Sequence, residues 1–206
     1  MAQDHATGGG SPERMALLDP NALSAAQARA LAGIMDGPRK TLEAGSPSAA
    51  LNGPFNAWLR SPALAERLQQ LGAYIRFETS LEPRLNEFAI LISAVYWRSQ
   101  YEWFAHHPLA LKAGLDPRVA AELGSGTRPN GMRDDEAIVY EFSTQLRETR
   151  AVDDIVYAAA LASFGERGII DLVAVAGYYD VVSMTLNVAR ALPPADAPVP
   201  FAQAGC

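Results

Sequence analysis

The sequence predicts an all-α fold. Apolar residues recur three and four positions apart through most of residues 22–191, and prolines and serines punctuate that pattern where helices would begin. No segment offers a convincing strand pattern of alternating apolar and polar residues, and no unit of about 20 to 50 residues repeats.

Residues 22–36 form the first clear helical pattern, which Pro38 and the GSPSAALNGP run at 45–54 interrupt. Residues 61–78 open with Ser61 as N-cap and Pro62 at the first helical position, where an amide would have no helical partner anyway. Leu64, Leu68, Leu71 and Ile75 make that segment amphipathic. From Pro83 to about residue 98 a second strong pattern runs through Leu85, Phe88, Leu91, Ile92 and Val95. Ser99-Gln100-Tyr101-Glu102 has the form of a capping box, in which the serine hydroxyl accepts from a backbone amide and the glutamate reaches back. A break near Ser99 is therefore expected, with one uninterrupted helix through residue 104 as the alternative. Pro108 lacks an amide donor and biases His107 away from helical geometry, which predicts a kink at the His-His-Pro step. Gly114 reads as a helix terminator and residues 124–132 as a loop. Residues 133–149 and 153–163 are further helices. The last, 166–191, is apolar nearly all round, predicting burial within the domain or between subunits; its β-branched residues would suit a strand, but its length favours a helix.

A chain of 206 residues has room for one domain with a substantial core, expected over 13–193, between a flexible N-terminal tail (1–12) and a Pro- and Ala-rich C-terminal tail (194–206). Hydrophobic residues at 49% and charged residues at 19% are ordinary for a globular protein, and the apolar runs read as too short to span a bilayer. No cationic stretch leads into an apolar one at the start, so a soluble, cytoplasmic protein without a membrane partner is expected. A net charge of -6 without a basic cluster argues against nucleic acid, whose phosphates need concentrated lysine and arginine. An anionic substrate would have to be met by individual arginines. The only cysteine, Cys206, permits no internal disulfide, no CxxC pair and no cysteine metal site, and reads as a loose terminal thiol.

The chemistry concentrates in LNEFAILISAVYWRSQYEWFAHHPLALKAGL, where Glu87, Ser99, Glu102 and His106 follow one another at spacings of twelve, three and four residues. Carboxylates and an imidazole are natural proton carriers. In a regular helix Ser99, Glu102 and His106 share a face. Glu87, nineteen residues before His106, falls about a quarter-turn out of register, and a break near Ser99 would let the two segments fold Glu87 onto the histidine. There the carboxylate would orient the imidazole and fix its tautomer, leaving the other ring nitrogen to move a proton, a contribution of roughly 10² to 10⁴ in rate. Arg98, Arg84 and Arg60 are candidates to hold a carboxylate, and Tyr101, Trp97 and Trp103 to wall the site against water. Plainer roles compete: Glu102 closing the capping box, His106 satisfying a kinked backbone, an exposed His107, the tryptophans as core or interface packing, Arg98 in an ion pair.

A metal site would use the four-residue spacing of Glu102 and His106, but no HExxH or Cys/His cluster supplies further ligands, and no metal is expected. The chain likewise lacks a GxSxG elbow, a GxGxxG after a strand and a P-loop, leaving serine hydrolase, dinucleotide and nucleoside-triphosphate readings without support and no cofactor expected.

On these residues the chain resembles the carboxymuconolactone decarboxylase family, which also contains the AhpD-like alkylhydroperoxidases. The resemblance rests on NEFAILISAVYWRSQYEWFAHHPLALKAGL, with weaker support from SPALAERLQQLGAYIRFETSL upstream and DLVAVAGYYDVVSMTLNVARALP downstream, together roughly residues 52–193. It implies an AhpD-like helical domain in an intertwined or interface-rich homo-oligomer, a homotrimer or homohexamer, with sites near subunit interfaces. The peroxidase branch uses a glutamate, two cysteines in CxxC and a histidine; at the matching positions stand Glu87, Ser99, Glu102 and His106. A thiolate must attack the peroxide, and neither serine nor carboxylate runs that disulfide cycle, which argues against thiol peroxidase activity. The decarboxylase branch needs no thiol: a carboxylated muconolactone loses CO₂, the electrons spread into the conjugated lactone, and a proton is taken up. The resemblance implies His106 as proton carrier, Glu87 as its orienter and Glu102 as a polar or acid-base neighbour. Beside a substrate carboxylate Glu102 would have to be protonated, paired with arginine or turned away.

The leading expectation is a cofactor-independent acid-base carboxy-lyase for a small carboxylated lactone or related aromatic ring-cleavage product, with Arg98, Ser99, Tyr101, Trp97 and Trp103 around the substrate. The alternatives are another proton transfer at the same pair (isomerisation, dehydration or hydrolysis) and a noncatalytic helical oligomer that binds a small molecule or a protein. The first 50 residues carry no functional motif.

Overall fold

The computed structural model describes residues 13–36 and 51–202. Among them a 3-10 turn, Pro20–Ala22, precedes eight α-helices: α1 (Ala25–Asp36), α2 (Pro54–Trp58), α3 (Pro62–Phe77), α4 (Pro83–Tyr96), α5 (Gln100–Lys112), α6 (Pro117–Gly124), α7 (Asp134–Thr149) and α8 (Asp154–Ala189). No strand occurs among the described residues, so the chain is all-α as its periodicity predicts. The expected 1–12 tail, the interruption at Pro38 and residues 45–50, and the Cys206 thiol lie outside the described residues.

The core is organised around α4, against which α5, α7 and α8 all pack. Arg84, Leu85, Asn86 and every residue from Phe88 to Ala94 are buried, so Glu87 is the one position in that run with partial access to solvent. Side chains such as Phe88 and Leu91, enclosed on all sides, each stabilise the fold by about 1.5–3 kcal/mol. For 166–191 the sequence predicts burial within the domain or between subunits. In the fold α8 buries one side (Leu172, Val175, Tyr179, Val182, Leu186) and leaves Ile170, Val173, Val181, Met184 and Val188 exposed, because α4 is enclosed by three helices while α8 lies on the outside of that layer.

The break expected near Ser99 is present, but its chemistry differs from a capping box. Helix α4 closes in a left-handed turn: the Ser99 amide bonds the Ala94 carbonyl at 2.9 Å, the Arg98 amide bonds Val95 at 3.0 Å, and Arg98 takes φ 50°. These two bonds make a Schellman closure with arginine where glycine is usual. Ser99 then stands as the N-cap of α5 without a capping hydrogen bond from its side chain, and Glu102 bonds elsewhere. Ser61 likewise caps α3 by position only. Pro108 does not end α5; helix continues to Lys112, so the ring removes one donor without stopping the helix. The helices expected at 153–163 and 166–191 are the two arms of α8, which meet at Gly165, where φ of 65° and ψ of 177° break the helical geometry. Helix α6 went unread in the sequence although Asp116 and Pro117 mark its start, the Asp116 carboxylate accepting from the Arg118 amide.

Two further contacts position the site. Asp171 of α8 accepts from the Ser80 amide and hydroxyl, both at 2.7 Å, and from the Tyr74 hydroxyl at 2.9 Å, fastening the α3–α4 turn to α8. After α8 the chain returns across α5: Phe201 meets the Trp103 ring edge-on at 5.8 Å, and the carbonyls of Phe201 and Ala202 accept from Gln100 and Arg98. By length and composition α8 is also apolar enough to cross a membrane, contrary to the expectation that every apolar run is too short; 56% of its most apolar window is buried against the rest of the fold, as in a core helix.

Candidate functional site

The reversal between α4 and α5 brings Glu87 against His106. His106 Nδ1 lies 2.6 Å from Glu87 Oε2, and its Nε2 lies 3.1 Å from Glu102 Oε1, one helical turn earlier on α5. The imidazole is thus held between two carboxylates on opposite ring nitrogens. His106 is 5% exposed and Glu102 3%, whereas the Glu87 side chain retains 13%. Burial on its own would push the imidazole's pKa down; the negative charges of Glu87 and Glu102, with their hydrogen bonds, outweigh it and raise the value to about 9. At neutral pH His106 is therefore an imidazolium donating to both glutamates, a stored proton in a dry setting.

Tyr179 of α8 completes the cluster. Its hydroxyl is 3.4 Å from His106 Nε2, and the two rings meet edge to face at 5.1 Å. Burial, then the nearby charge of Glu102, pushes the phenol well above its ordinary pKa, so Tyr179 stays a neutral O–H donor. Sequence reasoning missed this residue: within GYYD a tyrosine on an apolar helix looks like any other core aromatic. Its only signal was the polar handle that a buried tyrosine must satisfy.

Ser99 is 1% exposed, and its hydroxyl has no hydrogen-bond partner. The other expected site residues are engaged elsewhere, except that the Trp97 indole N–H is buried without a partner. Arg98 is exposed and donates from Nε to the Ala202 carbonyl at 3.2 Å. Arg60 donates to the carbonyls of Asn56 and Ala16, and Arg84 to Asp135 and Glu136. Trp97 accepts at its carbonyl from Asn187 and sets its ring against Tyr96. Trp103 stacks on His107 at 5.1 Å and meets Phe201, while Tyr101 lies over Gly53 beside a cleft with Asn52, Asn56 and Leu192. Stacked and partly enclosed, His107 has its pKa lowered by burial and stands apart from the carboxylates.

Among the described residues no group of three or more His, Cys, Asp or Glu side chains is arranged to hold a metal ion. The arrangement can hold one proton on His106, fix which nitrogen keeps it by the short contact to Glu87, and offer the Nε2 side to a reacting group beside a phenol donor. The chain matches no protein-family model, no curated protein and no solved structure, so the resemblance rests on the residues themselves.

Proposed function

We propose that the protein is a cofactor-independent acid-base enzyme of the carboxymuconolactone decarboxylase type, acting on a small carboxylated lactone. The observation that carries this reading is the imidazolium bridged between Glu87 at 2.6 Å and Glu102 at 3.1 Å, with its pKa raised to about 9. In the proposed reaction the carbon–carboxylate bond breaks, its electron pair moves into the conjugated lactone, CO₂ leaves, and the resulting dienolate takes the proton from His106 Nε2. Glu87 holds Nδ1 throughout. Tyr179 donates a hydrogen bond where negative charge develops, and solvent returns the proton to His106. Glu102, a repulsive neighbour for a substrate carboxylate, is balanced by the imidazolium it already faces.

The exposed stripe Ile170, Val173, Val181, Met184 and Val188 on α8 supports a homo-oligomer in which another copy covers it, and the resemblance implies a trimer or hexamer. The near-complete burial of His106 and Glu102 favours a second reading, a noncatalytic oligomer with a structural ion triad. One assay separates the two. Purified protein given carboxymuconolactone releases CO₂, and His106→Ala slows that release by roughly 10² to 10⁴. No release by the wild type overturns the lyase assignment, and release that survives His106→Ala overturns the acid-base role.

A further inference from the structure

Three arginines were candidates to receive an anionic substrate, and all three are spent on carbonyls or on the Asp135 and Glu136 carboxylates. A fourth is not. Arg76, in the last turn of α3, has no hydrogen bond or ion pair among the described residues, and its Nε is buried without a partner. Its guanidinium carbon lies 5.4 Å from the centre of the neighbouring Phe77 ring. A cation is favoured at a helix C-terminus, which accounts for a positive charge there. It does not account for a guanidinium donor taken out of water and left unpaired, which is destabilising.

The fold sets the last turn of α3, which carries Arg76, against α4 next to Glu87. The carbonyl of its neighbour Ile75 accepts from Asn86 Nδ2 at 3.1 Å, and Asn86 directly precedes Glu87. Tyr74 is tied to Asp171 on α8, two turns before Tyr179. The positive charge of Arg76 is felt at the Tyr179 phenol, where it opposes the upward push of burial and Glu102. Two carboxylates, Glu87 and Glu102, thus face two cations, His106 and Arg76, and of these two cations only Arg76 has unpaired donors.

We propose that Arg76 anchors a carboxylate of the substrate through its Nε–H and an adjacent N–H, at the Tyr179 end of the site. A guanidinium presents these donors as a fork that matches a carboxylate's two oxygens. The anchored carboxylate is one that the product keeps, because an ion pair stabilises a carboxylate where it stands and so opposes its loss as CO₂. Carboxymuconolactone carries two carboxylates, and the anchor distinguishes them: one is fixed at Arg76, the other released near His106. This rests on the acid-base reading for the reaction, but the binding is measurable without turnover.

The test is calorimetric titration of the full-length protein with 5-oxotetrahydrofuran-3-carboxylate, a lactone bearing one carboxylate, and with γ-butyrolactone, which bears none. The wild type binds the carboxylate more tightly than the neutral lactone, Arg76→Gln weakens that binding by about tenfold or more, and Arg76→Lys recovers part of it. Equal binding by wild type and Arg76→Gln, or no preference of the wild type for the charged lactone, overturns the proposal. A second readout needs no variant: the Arg76 Nε–H nuclear magnetic resonance of the wild type shifts on adding the carboxylate, and an unmoved resonance also overturns it. Arg76-dependent binding without CO₂ release from carboxymuconolactone would discard the lyase reading and keep the anchor; CO₂ release with binding indifferent to Arg76→Gln would discard the anchor and keep the lyase.

Discussion

Two buried charge clusters hang from α4 three residues apart, and they are built on opposite terms. At Arg84 a guanidinium donates to Asp135 and Glu136 at the start of α7, and Glu136 is 1% exposed. At Glu87 the cation is an imidazole, its partners are Glu87 and Glu102, and a phenol stands beside it. The first cluster has a cation that never titrates in the physiological range; burial pulls its pKa down, but the hydrogen bonds and charges of Asp135 and Glu136 raise it overall. Such a pair fastens α7 to α4 and offers nothing to a ligand. The second holds a proton that can leave. Identical helix and similar burial, with a different cation, separate a structural lock from a candidate site.

The largest effect that would test this contrast falls on the lock. Arg84→Ala leaves Glu136 buried without its cation and lowers stability by about 3–5 kcal/mol, read from urea unfolding followed by circular dichroism. A loss under about 1 kcal/mol would mean the cluster is not what holds α7 in place.

The next effect belongs to the switchable cluster and appears as pH dependence. The His106 pKa rises from 6.5 unfolded to about 9 folded. Because the folded value is the higher, its stabilisation is fully present below pH 6.5 and is lost as pH rises through 9, on the order of 3 kcal/mol in all. Urea midpoints measured from pH 6 to 10 should fall over this window in the wild type and stay flatter in His106→Gln. The Arg84 cluster contributes no slope there, since the arginine titrates above the window and Asp135, held down by Arg84, titrates below it. A flat wild-type profile would remove the imidazolium from the account.

What the sequence made legible follows the same division. Periodicity placed the long helices, and the S-x-x-E pattern located the α4–α5 break that sets Glu87 on His106. The reason for the break was misread: a Schellman turn through Arg98 closes α4, and backbone bonds of that kind carry no side-chain signature when arginine replaces glycine. Local chemistry was visible because Glu102 and His106 are four apart on one helix. Tyr179 reaches the cluster from α8, and the proposed anchor Arg76 stands on α3, at distances along the chain that no spacing rule covers. Arg98, Trp97, Tyr101 and Trp103 were drawn in by proximity in sequence, yet neighbouring positions on a helix point in different directions.

Tyr179→Phe probes the boundary between site and core. The ring keeps its edge-to-face packing on His106, and the hydroxyl, at 3.4 Å from Nε2, makes too long a contact to contribute much to the fold. Stability should therefore change by no more than about 1 kcal/mol. If the phenol donates to developing negative charge, kcat for CO₂ release falls by about 10². An unchanged kcat would return Tyr179 to the core.

The smallest effect is the most discriminating, because its two readouts move in opposite directions. Ser99 occupies the N-cap of α5, where replacing serine by alanine ordinarily costs about 1 kcal/mol through the lost cap. Here its hydroxyl accepts from no amide and lies buried without a partner, so Ser99→Ala removes an unsatisfied polar group and raises stability by about 1 kcal/mol. A hydroxyl left unpaired in the free protein and taken up by substrate would make the same variant raise KM a few-fold while the urea midpoint increases. Loss of stability would show that Ser99 caps the helix in solution after all. A gain in stability with KM unmoved would assign the unpaired hydroxyl to packing, and confine the site's free donors to Tyr179 and Arg76.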